Sequence, residues 1–126
     1  MSIEELHEQA LNQANYIAIL ENQKEKLIEV FEGDLIYPHK GVYFRLGPQL
    51  FFEIKMYIEE EKSTAILLDL NYNPVQIRDL NEFFKETRSK YTEALNKYKL
   101  GIARLKKSRM IPTLTKLHDL EDDVEE

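Results

Sequence analysis

The sequence of 126 residues contains no cysteine, no tryptophan and only four glycines. The absence of cysteine excludes disulfide bonds, cysteine-ligated zinc sites and a thiol nucleophile. Four glycines leave little room for a glycine-rich loop that binds phosphate. The sequence also lacks an apolar run of the roughly 18 to 20 residues that cross a bilayer, so no membrane partner is expected. Stability must therefore come from packing and assembly.

Acidic residues are concentrated at one end of the chain. Six of the 23 acidic residues follow Leu117 without any lysine or arginine, and the rest of the chain has 17 acidic and 17 basic residues. This balance argues against nucleic acid as the main partner, and residues 113–126 are expected to form a flexible acidic tail. The N-terminal sequence is acidic and lacks the basic and apolar parts of a signal peptide, which predicts a cytoplasmic protein.

Two long stripes of apolar residues, with alternating gaps of three and four, flank the middle of the chain. This spacing holds one row of side chains against a partner helix over many turns, as in a coiled coil. It predicts helix 1 at about residues 2–32 and helix 2 at about residues 79–108, paired as an antiparallel hairpin. The first stripe contains Ile3, Leu6, Ala10, Ile17, Leu20, Leu27 and Phe31, and the second contains Ile77, Leu80, Phe84, Tyr91, Ala94, Tyr98 and Leu105.

The predicted helices also carry end signals. Ser2 and Glu5 fit a capping box at the start of helix 1, and Gly33 fits a residue of positive φ just past its end. Asp79 is a capping residue for helix 2, which leaves residues 74–78 as a short strand.

Between the helices the apolar period changes to two, which predicts short strands over about residues 34–78. The clearest alternation has five apolar positions on one face: Leu50, Phe52, Ile54, Met56 and Ile58. Residues 64–70 are apolar on both faces, as in the middle strand of a sheet. Residues 1–112 therefore predict one α+β domain, an antiparallel coiled-coil hairpin of two long helices with a small antiparallel β-hairpin or meander body between them.

Three segments between Arg45 and Lys85 carry a family resemblance: Arg45-Leu46-Gly47, the run from Ala65 to Asn73, and the run from Asp79 to Lys85. With the order of long helix, β hairpins and long helix, they resemble the α-class of the prefoldin family, in which glycines tend to stand at the positions of Asn71 and Asn73. Pro74 departs from the family pattern and fits only a strand position whose N–H is not needed.

The resemblance implies a non-enzymatic chaperone or scaffold subunit that assembles with other prefoldin-like subunits, or with itself, and holds unfolded or client proteins at the tips of its helices. Weak multivalent apolar contacts by mobile tips would supply the binding. The predicted assembly residues are Leu50, Phe52, Ile54, Met56 and Ile58, and the predicted client-binding residues are Ile3, Leu6, Met110 and Ile111.

No constellation in the sequence favours an enzyme or a metal site. His7, His39 and His118 fall on a predicted helix face, in a loop and in the tail, so no spacing joins them to each other or to a nucleophile. We therefore predict no catalytic residues, no metal and no cofactor.

Two other functions remain open on the sequence. The end of helix 2 is basic, which would suit a small dimeric nucleic-acid-associated protein, although cations near a helix C-terminus are also favoured by the helix dipole. The acidic tail would suit an adaptor or inhibitor that binds a basic surface. The basic residues are Lys97, Lys99, Arg104, Lys106, Lys107 and Arg109.

Overall fold

The computed structural model describes residues 2–110, and this part of the chain forms three helices and two antiparallel hairpins. The α+β class expected from the sequence is confirmed. In chain order the elements are α1 (Ile3–Asp34), β1 (Ile36–His39), β2 (Val42–Arg45), α2 (Pro48–Glu59), β3 (Ala65–Leu68), β4 (Pro74–Ile77) and α3 (Leu80–Met110).

The described residues divide into two compact units, one of residues 31–97 and one that contains residues 2–30 and 98–110. The unit of residues 31–97 has an apolar core to which both hairpins, α2 and the first turns of α3 contribute. The apolar side chains that are buried most completely there are Phe44, Leu46, Ile54, Leu67, Ile77 and Leu80.

The described side chains of the other unit, by contrast, are mostly exposed. Leu20 is its buried apolar residue on α1. A Cβ atom placed on Gly101 would lie 2.8 Å from Cδ2 of Leu27, so α1 and α3 approach each other closely at this point.

Both helix starts that the sequence predicts are confirmed by hydrogen bonds. The N–H of Ser2 donates to Oε1 of Glu5 at 2.9 Å, and the N–H of Glu5 donates to Oγ of Ser2 at 3.1 Å, which is a complete capping box. At the start of α3 the N–H of Glu82 donates to Oδ1 of Asp79 at 3.1 Å.

The prediction for Gly33 is wrong, because α1 continues through this residue to Asp34 and Gly33 does not adopt positive φ. The next residue, Leu35, donates its N–H to the carbonyl oxygens of Phe31 and Glu32 and is itself buried in the core. Burial of Leu35 thus extends the last turn of the helix past the glycine.

Each hairpin has a turn with positive φ. Lys40 and Gly41, with φ of 50° and 87°, join β1 to β2, and positive φ at both central residues is the geometry of a primed turn that matches the strand twist. In the β3–β4 turn positive φ falls on Tyr72, at 64°, and not on either flanking asparagine.

The most important correction concerns residues 50–58, which were predicted to be a strand and lie in helix α2. Pro48 stands in the first turn of α2, after Gly47, where its missing N–H and fixed φ favour helix initiation. The segment also carries a helical apolar stripe, in which three side chains are buried and two are partly buried against the core: Leu50, Phe51 and Ile54, and then Tyr57 and Ile58. The strand-like alternation and the helical stripe have Leu50, Ile54 and Ile58 in common, and packing of the whole stripe on the core selects the helix.

Candidate interaction surfaces

The predicted client-binding residues on α1 are exposed. Ile3 is 84% exposed and Leu6 is 52% exposed, and both lie in the first two turns of the helix. Met110 is the last residue of α3, and Ile111 lies outside the described residues. The part of the proposed client surface that the structure describes is therefore available to a partner.

The predicted assembly residues do not form one face, because they belong to a helix and not to a strand. Leu50 and Ile54 are buried in the core of the unit of residues 31–97, and Ile58 packs against it. Phe52 and Met56, one helical turn apart, are instead exposed, Phe52 by 67%. Two of the five residues thus remain as candidates for contact with another molecule.

A second exposed apolar surface lies on the β3–β4 hairpin, where the sequence did not predict one. Ile66 and Leu68 alternate with the buried Leu67 along β3, and the turn adds Tyr72, which is 80% exposed. The sequence signal was present, since residues 64–70 are apolar on both faces. Such a pattern predicts the middle strand of a sheet, whereas the described sheet has only β3 and β4.

A groove of about 570 Å³ opens beside β3 in the same unit. Apolar side chains, among them Phe44, Leu50 and Leu70, form much of its wall. The charged residues that line it are three acidic residues and one basic residue: Glu32, Glu53, Asp69 and Arg45. Nη2 of Arg45 lies 2.5 Å from Oε1 of Glu32, whereas Glu53 has no ion-pair partner within residues 2–110.

Asp69, which follows β3, organises the turn at the edge of this groove. Its Oδ1 accepts hydrogen bonds from the N–H groups of Asn71 and Asn73, both at 2.8 Å. The backbone N–H of Asn73 is the main reason that the pKa of Asp69 lies below its ordinary value, and the N–H of Asn71 acts in the same direction, against the effect of burial. The carboxylate is thus a structural acceptor for the turn.

The histidine in the described hairpin belongs to an aromatic cluster. The ring of His39 lies 5.0 Å from that of Phe83 and 6.1 Å from that of Phe44, each with edge-on geometry. Burial lowers the pKa of His39, the charge of Lys40 lowers it further, and Glu86 acts in the opposite direction. Next to it, the hydroxyl of Tyr37 donates to Oε1 of Glu86 at 3.0 Å. These contacts pack the hairpin against α3 and bring no nucleophile to the imidazole.

Among residues 2–110 there is no group of three or more histidine, aspartate or glutamate side chains placed to hold a metal ion. In the same range no helix is both long enough and apolar enough to cross a membrane. Comparison of the chain with family models, curated proteins and solved structures found no match.

Proposed function

We infer that the protein is a non-enzymatic subunit of a prefoldin-like oligomer that holds unfolded or client proteins. The observation that carries this proposal is the exposure of large apolar side chains on both compact units. Isolated soluble domains expose single apolar residues, whereas groups of them mark surfaces that contact other molecules.

One feature of the unit of residues 31–97 supports assembly. Phe52 and Met56 form an exposed apolar pair on α2. Contact of α2 with a neighbouring subunit would bury this pair. The assembly surface proposed here is therefore Phe52 and Met56.

The exposed apolar residues of α1 support client binding. Ile3, Leu6 and Leu11 lie within the first three turns and are each more than half exposed. In the proposed coiled-coil hairpin they lie at the free end of the helices. Several weak apolar contacts of this kind, repeated on each subunit, can hold a non-native chain without nucleotide or covalent chemistry.

The experiment for assembly is light scattering with mass determination of the purified chain at micromolar concentration. We expect a mass above the 15.0 kDa of one chain and a return to that mass when Phe52 and Met56 are both replaced by glutamate. A matched control replaces Glu59 and Glu60, at the C-terminal end of the same helix, by glutamine. A clean monomer for the unchanged protein would contradict the proposal.

Client binding is tested by suppression of aggregation of a thermally unfolding enzyme, such as citrate synthase. Ile3→Ser with Leu6→Ser is expected to reduce suppression and to leave the oligomer mass unchanged. The control is Glu4→Gln with Glu8→Gln, which alters the same two turns without loss of apolar area. Equal suppression of aggregation by the unchanged protein and the Ile3→Ser/Leu6→Ser variant would show that Ile3 and Leu6 do not bind the client.

A further inference from the structure

The hydrogen-bond pattern of the β3–β4 hairpin shows which edge of β3 is free. In antiparallel pairs, residues that exchange backbone hydrogen bonds alternate with residues whose N–H and C=O groups point away from the partner strand. The N–H of Asp69 donates to the carbonyl oxygen of Asn73 at 2.9 Å, and Leu68 is opposite Pro74, which has no N–H. The backbone groups of Ile66 and Leu68 therefore point away from β4, and no hydrogen bond within residues 2–110 occupies them.

The outer edges of the other strands are blocked. By the same alternation, Pro38 on β1 and Pro74 on β4 lie at outward-pointing positions, where proline offers no donor. On β2 the outward-pointing carbonyl oxygen of Tyr43 accepts the N–H of Leu70 at 2.7 Å, and Arg45 brings a charge to the edge. The same hydrogen bond occupies Leu70, the next outward-pointing residue past the end of β3, so the free part of the β3 edge is Ile66 and Leu68. Proline and charge are common devices that prevent strand pairing at an edge. Among the four described strands, β3 has the edge that carries neither.

Space and side-chain chemistry at this edge suit an added strand. Ile66 is 58% exposed and Leu68 is 54% exposed, so both can contact alternate side chains of a neighbouring strand. The groove of about 570 Å³ includes Leu68 in its lining, so an added segment could place side chains in it. The unpaired Glu53 and the acidic balance of the groove favour a lysine or arginine in the segment that binds.

From these observations we propose that the free edge of β3 binds an extended segment of a partner polypeptide by strand addition, with apolar residues at alternate positions and a basic residue near Glu53. Ile66 and Leu68 supply two N–H donors and two C=O acceptors, and main-chain hydrogen bonds of this kind give affinity with little dependence on sequence. This site uses none of Phe52, Met56 and the α1 residues, so it does not depend on the function proposed above.

The probe is a fluorescein-labelled heptapeptide of alternating valine and threonine with a lysine at each end, titrated with the full chain by fluorescence anisotropy. Two further peptides carry N-methyl groups, either on all valines or on all threonines. A strand at an edge uses only alternate N–H groups. We therefore expect saturable binding of the unmethylated peptide. One methylated peptide should bind with similar affinity, and the affinity of the other should be at least about tenfold lower.

Variants locate the site. Leu68→Lys is expected to weaken binding at least about tenfold, and Glu53→Gln to weaken it less and to reduce its dependence on salt. Gln76→Lys is the matched control, because it adds the same charge on β4 directly opposite Ile66, and it should leave the affinity unchanged. In the unchanged chain, hydrogen exchange should show the amides of Ile66 and Leu68 becoming protected when the peptide is added.

Three results would overturn the proposal. The first is an absence of saturable binding up to about 1 mM peptide, and the second is equal behaviour of the two methylated peptides, which would indicate apolar contact without strand pairing. The third is protection of the Ile66 and Leu68 amides in the chain alone, together with a dimer mass, which would show that a second copy occupies the edge.

Discussion

At the scale of single residues, Asp69 shows how one carboxylate can fix a turn. Its hydrogen bonds to the N–H groups of Asn71 and Asn73 hold its pKa below the ordinary value of 3.8. A carboxyl group whose pKa is lower in the folded chain than in the unfolded chain stabilises the fold above the unfolded pKa. It loses that contribution as the pH falls through the folded pKa.

We predict that Asp69→Asn lowers the urea midpoint of unfolding at neutral pH, and that the difference from the unchanged chain narrows as the pH falls below 3.8. Circular dichroism at a series of pH values measures both effects. Glu60→Gln, at an exposed position, serves as the control and should show no such difference. A difference that stays constant down to strongly acidic pH would mean that the turn does not depend on the charged carboxylate.

Gly101 carries a second prediction at this scale. Alanine favours a helix by about 1 kcal/mol over glycine, but the new Cβ would lie 2.8 Å from Cδ2 of Leu27. We expect Gly101→Ala to stabilise the chain by clearly less than that amount, and to give nearly the full gain when Leu27 is also replaced by alanine. A double-mutant cycle from urea unfolding measures this coupling.

The matched control is Gly33→Ala, in a helix and with no atom within 4 Å of the added Cβ, which should give most of the helical gain by itself. If Gly101→Ala gives the same gain as Gly33→Ala, and the gain does not change with Leu27, then the close approach of α1 and α3 at Leu27 is not present in solution.

At the scale of secondary-structure elements, α2 provides the sharpest test, because a helix and a strand bury different members of the same segment. Ile54 is 0% exposed and Phe52 is 67% exposed, whereas a strand would place both on one face. Ile54→Ala is therefore expected to cost about 2 to 5 kcal/mol of unfolding free energy. Phe52→Ala is expected to change it by about 0.5 kcal/mol or less. Similar large losses for both variants in urea unfolding would favour the strand.

Much of the element pattern could be predicted from the sequence, for reasons that are local. The capping residues Ser2 and Asp79 satisfy N–H groups within their own helix, so the starts of α1 and α3 were predicted correctly. The short strand before Asp79 was also predicted correctly, since Pro74 fits an outward-pointing position. The sequence did not predict where α1 ends or that residues 48–59 form a helix, because burial of Leu35 and of Ile54 in a shared core decides both.

The candidate surfaces could be predicted only in part. Ile3 and Leu6 were identified by the end of an apolar stripe, and the structure leaves them exposed. The edge of β3 was missed because a strand with two apolar faces is normally covered on both. Whether such a strand has a neighbour depends on the rest of the fold, and no local pattern reports it.

At the scale of the whole molecule, net charge is the property with the clearest consequence. The full chain has a net charge of −6 and a sequence pI near 5.2, whereas truncation after Leu117 would leave 17 acidic and 17 basic residues. We predict that the truncated chain loses solubility near neutral pH, because a protein without net charge lacks self-repulsion. Precipitation by polyethylene glycol at pH 5 and at pH 7 measures the change.

The control for this prediction is a full-length chain with the same six acidic residues replaced by their amides. If loss of charge lowers the solubility, this variant should precipitate like the truncated chain. If loss of the apolar residues of the tail lowers it, the variant should precipitate like the unchanged chain.

The truncated chain also tests the nucleic-acid alternative. Failure to retain duplex DNA at low salt, with the basic residues of α3 freed from the tail charge, would remove that alternative.

The sequence by itself determined the α+β class, the two long helices, their starts and the turn-rich middle, because periodicity, capping and turn chemistry act between residues close together in the chain. The tertiary structure decided that residues 48–59 are helical, that α1 runs past Gly33, and that β3 has a free edge. These outcomes depend on which apolar side chains share one core and which strands find a neighbour, and both are set by contacts between residues far apart in sequence.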